Sequence, residues 1–167
     1  METRVHVSLE VSNLEKSVTF YSKLFQSAPT KIQTDYANFR MEEPPLHLAL
    51  VLNPDTAQES NSNRHYGIEL FEDARLNSWL QSAKSANLPL RIEENVTCCY
   101  AVANKFWVRD PDGHEWEFWV RSAEADTMHG VETNTFKSEK SQCCAPSPAL
   151  KTEQNIAPSC CAPNQCG

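Results

Sequence analysis

A chain of 167 residues with a net charge of −7 has room for one ordinary domain, or for two small units that share a core. It holds no basic run and no stripe of Lys and Arg interleaved with aromatics, which excludes the electrostatic footprint of a nucleic-acid binder. No segment approaches the roughly 18 apolar residues of a membrane span, and METRVHVSLEV has no charged leader followed by an apolar run, so the expectation is a soluble cytoplasmic protein with no membrane partner.

In chain order, residues 3–11 (TRVHVSLEV) alternate, with Val5, Val7, Leu9 and Val11 on one face and His6, Ser8 and Glu10 on the other, the pattern of a half-buried strand. Asn13 can cap a helix whose apolar positions Leu14, Val18, Tyr21, Leu24 and Phe25 recur at helical spacing to about residue 26. Strands are expected at Tyr36–Met41 and Leu46–Leu52, and residues 53–63 (NPDTAQESNSN) read as a polar connector.

The pattern then restarts. Laid over the first unit at an offset of 59, RHYGIELFEDARLNSWLQSA aligns His65 with His6, Glu69 with Glu10 and Trp79 with Phe20, so one strand–helix unit is used twice. A helix is expected at about 73–86 and strands at 90–95, 101–109 and 115–121, the last two joined by the turn Asp110-Pro111-Asp112-Gly113. The reading is an α+β fold of two β-α-β-β-β modules, 3–60 and 61–122, forming a single domain over 1–122. From residue 123 to 167 large apolar side chains nearly vanish, and this part is expected to be a flexible, Cys-containing tail. It carries Cys143, Cys144, Cys160, Cys161 and Cys166, with Cys-Cys-Ala-Pro occurring twice, and in a reducing compartment these are thiols open to soft metals rather than a disulfide framework.

His6 lies on the polar face of its strand, where a lone His is usually only a surface residue. The duplication puts His65 at the equivalent place, and two curved sheets related by pseudo-symmetry are expected to bring both rings into one concavity. The closing strand of the second module, in DPDGHEWEFWV, offers Glu115 and Glu117 on one face, either of which could complete the set. Two His and one carboxylate form the facial triad that suits Fe(II) and leaves open positions, whereas a closed structural zinc site would want four ligands.

Through H-V-S-L-E-V-S-N-L with the following F-Y, H-Y-G-I-E-L and D-P-D-G-H-E-W-E-F, residues 3–121 resemble the vicinal oxygen chelate superfamily, which includes glyoxalases, bleomycin-resistance proteins and extradiol dioxygenases. In that family the ligand on the last strand stands four residues after the Gly of D-P-D-G, so the resemblance implies a metal site of His6, His65 and Glu117 in a cup formed by the two modules.

Val96-Thr97-Cys98-Cys99-Tyr100 falls between two expected strands, and both sulfurs can face one atom if residues 95–100 leave the ladder as a loop. With this stretch included, the chain is similar to the iron-dependent carbon–arsenic lyases of the superfamily. That resemblance implies a division of labour: Cys98 and Cys99 grip trivalent arsenic, while Fe(II) on His6, His65 and Glu117 turns O2 against the carbon–arsenic bond to give arsenite. The implied partners are a small trivalent organoarsenical and O2, with a homodimer left open. A rival of another class is a non-catalytic cadmium- or metalloid-binding protein on the same scaffold, supported by the thiol-rich tail.

Overall fold

The structure, a computed structural model, describes residues 3–56 and 65–130. The connector from residue 57 and the Cys-Cys-Ala-Pro repeats lie outside them.

The first module runs β1 (Val5–Val11), α1 (Leu14–Leu24), β2 (Lys31–Ile32), β3 (Tyr36–Met41) and β4 (Leu46–Leu52); the second runs β5 (His65–Glu69), α2 (Asp73–Ser85), β6 (Leu90–Cys98), β7 (Ala101–Arg109) and β8 (Glu115–Glu124). Asn13 caps α1 by accepting the Lys16 N–H at 2.9 Å, as its position in the sequence predicts. The sheets have orders β1-β4-β3-β2 and β5-β8-β7-β6, with the first and last strand of each module paired in parallel. The repeat seen at offset 59 is therefore a repeat of topology. Among the described residues no helix is long and apolar enough to cross a membrane.

Two boundaries differ from expectation. The strand expected at 90–95 continues to Cys98 past an irregularity between Glu93 and Val96, and β8 passes residue 122 to end at Glu124. In both places backbone pairing holds the segment: Val96, Thr97 and Cys98 pair with Ala103, Val102 and Ala101, while Ala123 and Glu124 pair with Val102 and Ala101. Ladder hydrogen bonds carry no apolar signature, so composition marked a boundary too early.

One core serves both modules. Leu9, Val11 and Phe39 from the first sheet and Trp116 and Phe118 from the second belong to a single buried cluster, with α1 wedged between. The ring of Phe25, the residue that caps the C-terminus of α1, meets Trp116 at 5.4 Å and Trp79 at 6.3 Å, both edge-on, a favoured aromatic geometry. Because side chains alternate along a strand, the faces opposite this core carry the polar residues. On β1 that face holds His6 and on β8 it holds Glu117.

The Asp110–Gly113 turn pins the modules together. The Asp112 carboxylate accepts the Ser12 N–H at 3.0 Å and the Ser17 hydroxyl at 3.2 Å, and Tyr21 donates to Asp110 at 2.7 Å. His114 Nδ1 lies 2.9 Å from the same Asp110 oxygen. Burial pushes the Asp110 carboxyl up, but the hydrogen bond and charge of His114 and the Tyr21 hydroxyl outweigh it and pull the group below its ordinary 3.8. The hydrogen bond to Asp110 raises His114 above 6.5 against the opposing effect of burial. Asp110 thus contributes stability that is present above pH 3.8 and lost as pH falls through its lowered pKa; His114 contributes stability that is full below pH 6.5 and lost as pH rises through its raised pKa. Denaturant midpoints measured across pH should show this pair's contribution greatest between those limits, and Asp110→Asn should flatten the profile on both sides.

Candidate functional site

The second sheet presents a hollow of about 110 Å³ lined by His65, Cys98, Cys99, Ala101, Ala103, Lys105, Trp107, Glu117 and Trp119. Four of the five site residues read from the sequence meet there. His65 Nε2 stands 3.4 Å from Glu117 Oε2. First-row metal bonds to N and O of about 2.0–2.2 Å at right angles place two donors about 3 Å apart, so this pair suits a common ion. Gly67 pairs with Glu117 across β5 and β8; even a Cβ there would be 3.8 Å from Oε2, so the carboxylate lies over a position without a side chain. Lys105 Nζ, at 2.9 Å, takes the other oxygen, Oε1. Glu115 has the same strand parity as Glu117 but does not line the hollow.

The paired thiols are set by a two-residue turn rather than by a six-residue loop. Cys98 pairs with Ala101, and the two residues between, Cys99 and Tyr100, have φ of 56° and 63°. Positive φ at both central positions is what a tight hairpin demands, since its twist then matches that of the strands. The left-handed Cys99 swings its side chain back, so Sγ lies 3.3 Å from Sγ of Cys98 instead of on the opposite face. One soft atom with bonds of about 2.3 Å reaches both sulfurs at an angle near 90°. Cys98 is buried and Cys99 exposed, an arrangement with one sulfur at the floor and one at the rim.

Residues 125–130, assigned to the tail from composition, strap this turn. Ala125 N–H donates to Tyr100 O (2.8 Å), Cys99 N–H to Met128 O (2.8 Å) and Gly130 N–H to Thr97 O (3.1 Å). Left-handed backbone at a bulky, exposed Tyr stores about 1–2 kcal/mol. Tyr100→Gly should therefore raise stability by about 0.5–1 kcal/mol in urea unfolding, after the entropy cost of Gly is subtracted.

His6 is elsewhere. It lies on the first sheet in a separate hollow of about 320 Å³ with Arg4, Arg40, Glu42 and His47, stacked on His47 at 4.5 Å. Burial, with the nearby His6, Arg40 and Arg4, holds His47 below the ordinary imidazole value. The two hollows share no residue. Among the described residues no group of three or more His, Cys, Asp or Glu is placed to hold a metal ion. The single concavity expected from pseudo-symmetry is thus not formed within one chain, because the shared core joins the apolar faces of the sheets and turns the polar faces away from each other.

Trp107 and His47 escaped the sequence reading as site residues, and spacing alone gave Lys105 no role. Its one detectable signal is a charge directly before the run F-W-V, with the strand parity of Trp107.

The profile of the glyoxalase/bleomycin resistance protein/dioxygenase superfamily matches residues 3–118. A trivalent organoarsenical cleaving enzyme from Bacillus sp. (strain MD1) is 37% identical over 94% of this chain and 98% of its own length; one from Thermomonospora curvata is 35% identical over 95% and 99%. Cadmium-induced protein CadI of Mycobacterium bovis is 37% identical over 85% and 93%. A glyoxalase/bleomycin resistance protein/dioxygenase crystal structure from Alicyclobacillus acidocaldarius superposes with a TM-score of 0.62 at 17% identity, covering 71% of this chain and 91% of the other, a likeness of fold.

Proposed function

Since the chain belongs to the glyoxalase/bleomycin resistance protein/dioxygenase superfamily, we propose that it is an Fe(II)-dependent dioxygenase that cleaves the carbon–arsenic bond of trivalent organoarsenicals, acting in the cytoplasm in arsenic resistance. The observation that carries the reading is the meeting of a 3.3 Å thiol pair with the His65–Glu117 pair in one hollow. Relatives that share most of the chain's length and are named for organoarsenical cleavage support it.

The residues divide into two groups. Cys98 and Cys99 would displace oxygen ligands from trivalent arsenic and fix it, which converts attack on its carbon into an oriented, effectively intramolecular step. Ala101 and Ala103, the small side chains of the lining, would leave room for the organic substituent beside the rings of Trp107 and Trp119. His65 and Glu117 would hold the metal, with His6 as third ligand from a second copy of the chain, because His6 faces away from them in its own. Fe(II) bound there would supply open coordination positions at which O2 is activated.

For a methyl substituent without external reductant the balance is methylarsenite plus O2 to arsenite plus formaldehyde. Arsenic stays trivalent, and carbon supplies the electrons that reduce the O2. The test is to load the protein anaerobically with Fe(II), add methylarsenite, admit O2, and measure arsenic species and formaldehyde. Equal amounts of arsenite and formaldehyde are expected. Tight arsenical binding with neither product would favour a non-catalytic cadmium- or metalloid-binding protein, the reading to which the cadmium-induced relative points.

A further inference from the structure

We infer that Lys105 is a positioning residue for the metal-binding carboxylate, holding Oε1 of Glu117 so that Oε2 alone is presented beside His65. The inference rests on the metal reading above and adds a residue to it. Five ionisable side chains form one row across all four strands of the second sheet. Arg91 Nε is 3.2 Å from Glu93 Oε1, and Lys105 Nζ is 3.9 Å from Glu93 Oε2 and 2.9 Å from Glu117 Oε1; His65 Nε2 closes the row 3.4 Å from Glu117 Oε2. The register explains the contacts. Glu93 and Lys105 are direct partners, whereas Glu117 faces Trp107 on one side and Gly67 on the other, so Lys105 and His65 both reach it along diagonals.

Burial is deepest at the centre of the row. The Glu93 and Lys105 side chains are 4% and 5% exposed and Glu117 13%, while the ends, Arg91 and His65, are 52% and 38% exposed, so the row is anchored at its centre and reaches solvent at both ends, one of them the ligand pair. A buried ammonium is costly unless compensated, and an apolar side chain of similar volume would avoid the desolvation altogether. Lys105 is compensated by two carboxylates and by the Trp107 ring face 5.5 Å away. An ion entering at His65 would draw on Glu117 Oε2, while Oε1 and Glu93 retain the ammonium. The carboxylate would then bind through one oxygen and leave a further coordination position for the reactants. Without the ammonium, both oxygens are free to chelate.

The test uses Co(II) as probe in the full-length protein, comparing wild type, Lys105→Met, Lys105→Arg and Glu93→Gln. Lys105→Met is expected to bind Co(II) with an altered visible spectrum and, with Fe(II), to lose about 10–100-fold in kcat for methylarsenite while KM moves less than about threefold. Lys105→Arg should recover the wild-type spectrum and most of kcat. Glu93→Gln, which touches Lys105 but not Glu117, should shift the spectrum in the same direction as Lys105→Met. Spectra that stay as in wild type for both Lys105→Met and Glu93→Gln overturn the positioning role and leave the metal reading standing; failure of the wild type to bind Co(II) overturns both. If Lys105→Met does not fold, Glu93→Gln against wild type decides by the same criterion.

Discussion

Co-expressed His6→Ala and Glu117→Ala chains, each inactive alone, should together recover about a quarter of wild-type activity, because random pairing makes about half of the dimers mixed and each mixed dimer has one intact site of two. The expectation follows from the core. Leu9 and Val11 beneath His6 and Trp116 and Phe118 beneath Glu117 belong to one buried cluster, so the polar faces of the two sheets point away from each other within a chain. A site that needs both faces needs two chains. His6 is exposed, and removing it takes nothing from the core, so Tm and sedimentation of that variant should match wild type. No recovery in mixed dimers of normal stability would mean that His6 and Glu117 do not serve one site across the interface.

Replacing either thiol, Cys98→Ser or Cys99→Ser, should lower kcat/KM for methylarsenite by about 10³-fold or more while metal content stays at the wild-type level. On the proposed reading a single sulfur would still coordinate arsenic but would no longer fix its orientation, and orientation is where the rate advantage would arise. The two variants should differ in side effects. Cys98 is 8% exposed and ends β6, so its replacement perturbs packing at the floor of the hollow, whereas Cys99 projects from a turn whose backbone is tied to Met128. Metal lost together with activity in both variants would show that the sulfurs act as metal ligands, and the proposed division of roles would be wrong.

Strand alternation, helical spacing and the offset-59 repeat located nearly every element, because each depends on side-chain patterning that a linear string displays: β1, α1, β3, β4, β5, α2 and β7 stand where they were expected. Elements held by backbone pairing were legible only in part. The two-residue β2, the end of β6 and the strap at 125–130 contain little apolar surface, and their partners lie on distant stretches of chain. The thiol pair shows the same limit on a smaller scale. Adjacency of Cys98 and Cys99 was plain, but the positive φ that brings the Cys99 sulfur back beside that of Cys98 belongs to a hairpin whose length is fixed by the pairing of Cys98 with Ala101.

By itself, then, the amino-acid string determined the duplicated β-α-β-β-β module, the candidate ligands His6 and His65 with either Glu115 or Glu117, and the thiols beside them, since residue type and period are local properties; the choice of Glu117 came from the family resemblance. Only the tertiary structure decided which of these meet. His65, Glu117, Cys98 and Cys99 share one hollow and His6 another, because burying the apolar faces of both sheets in one core leaves their polar faces pointing outward. Lys105 gained its place beside Glu117 in the same way, from a cross-strand diagonal that no spacing along the chain records.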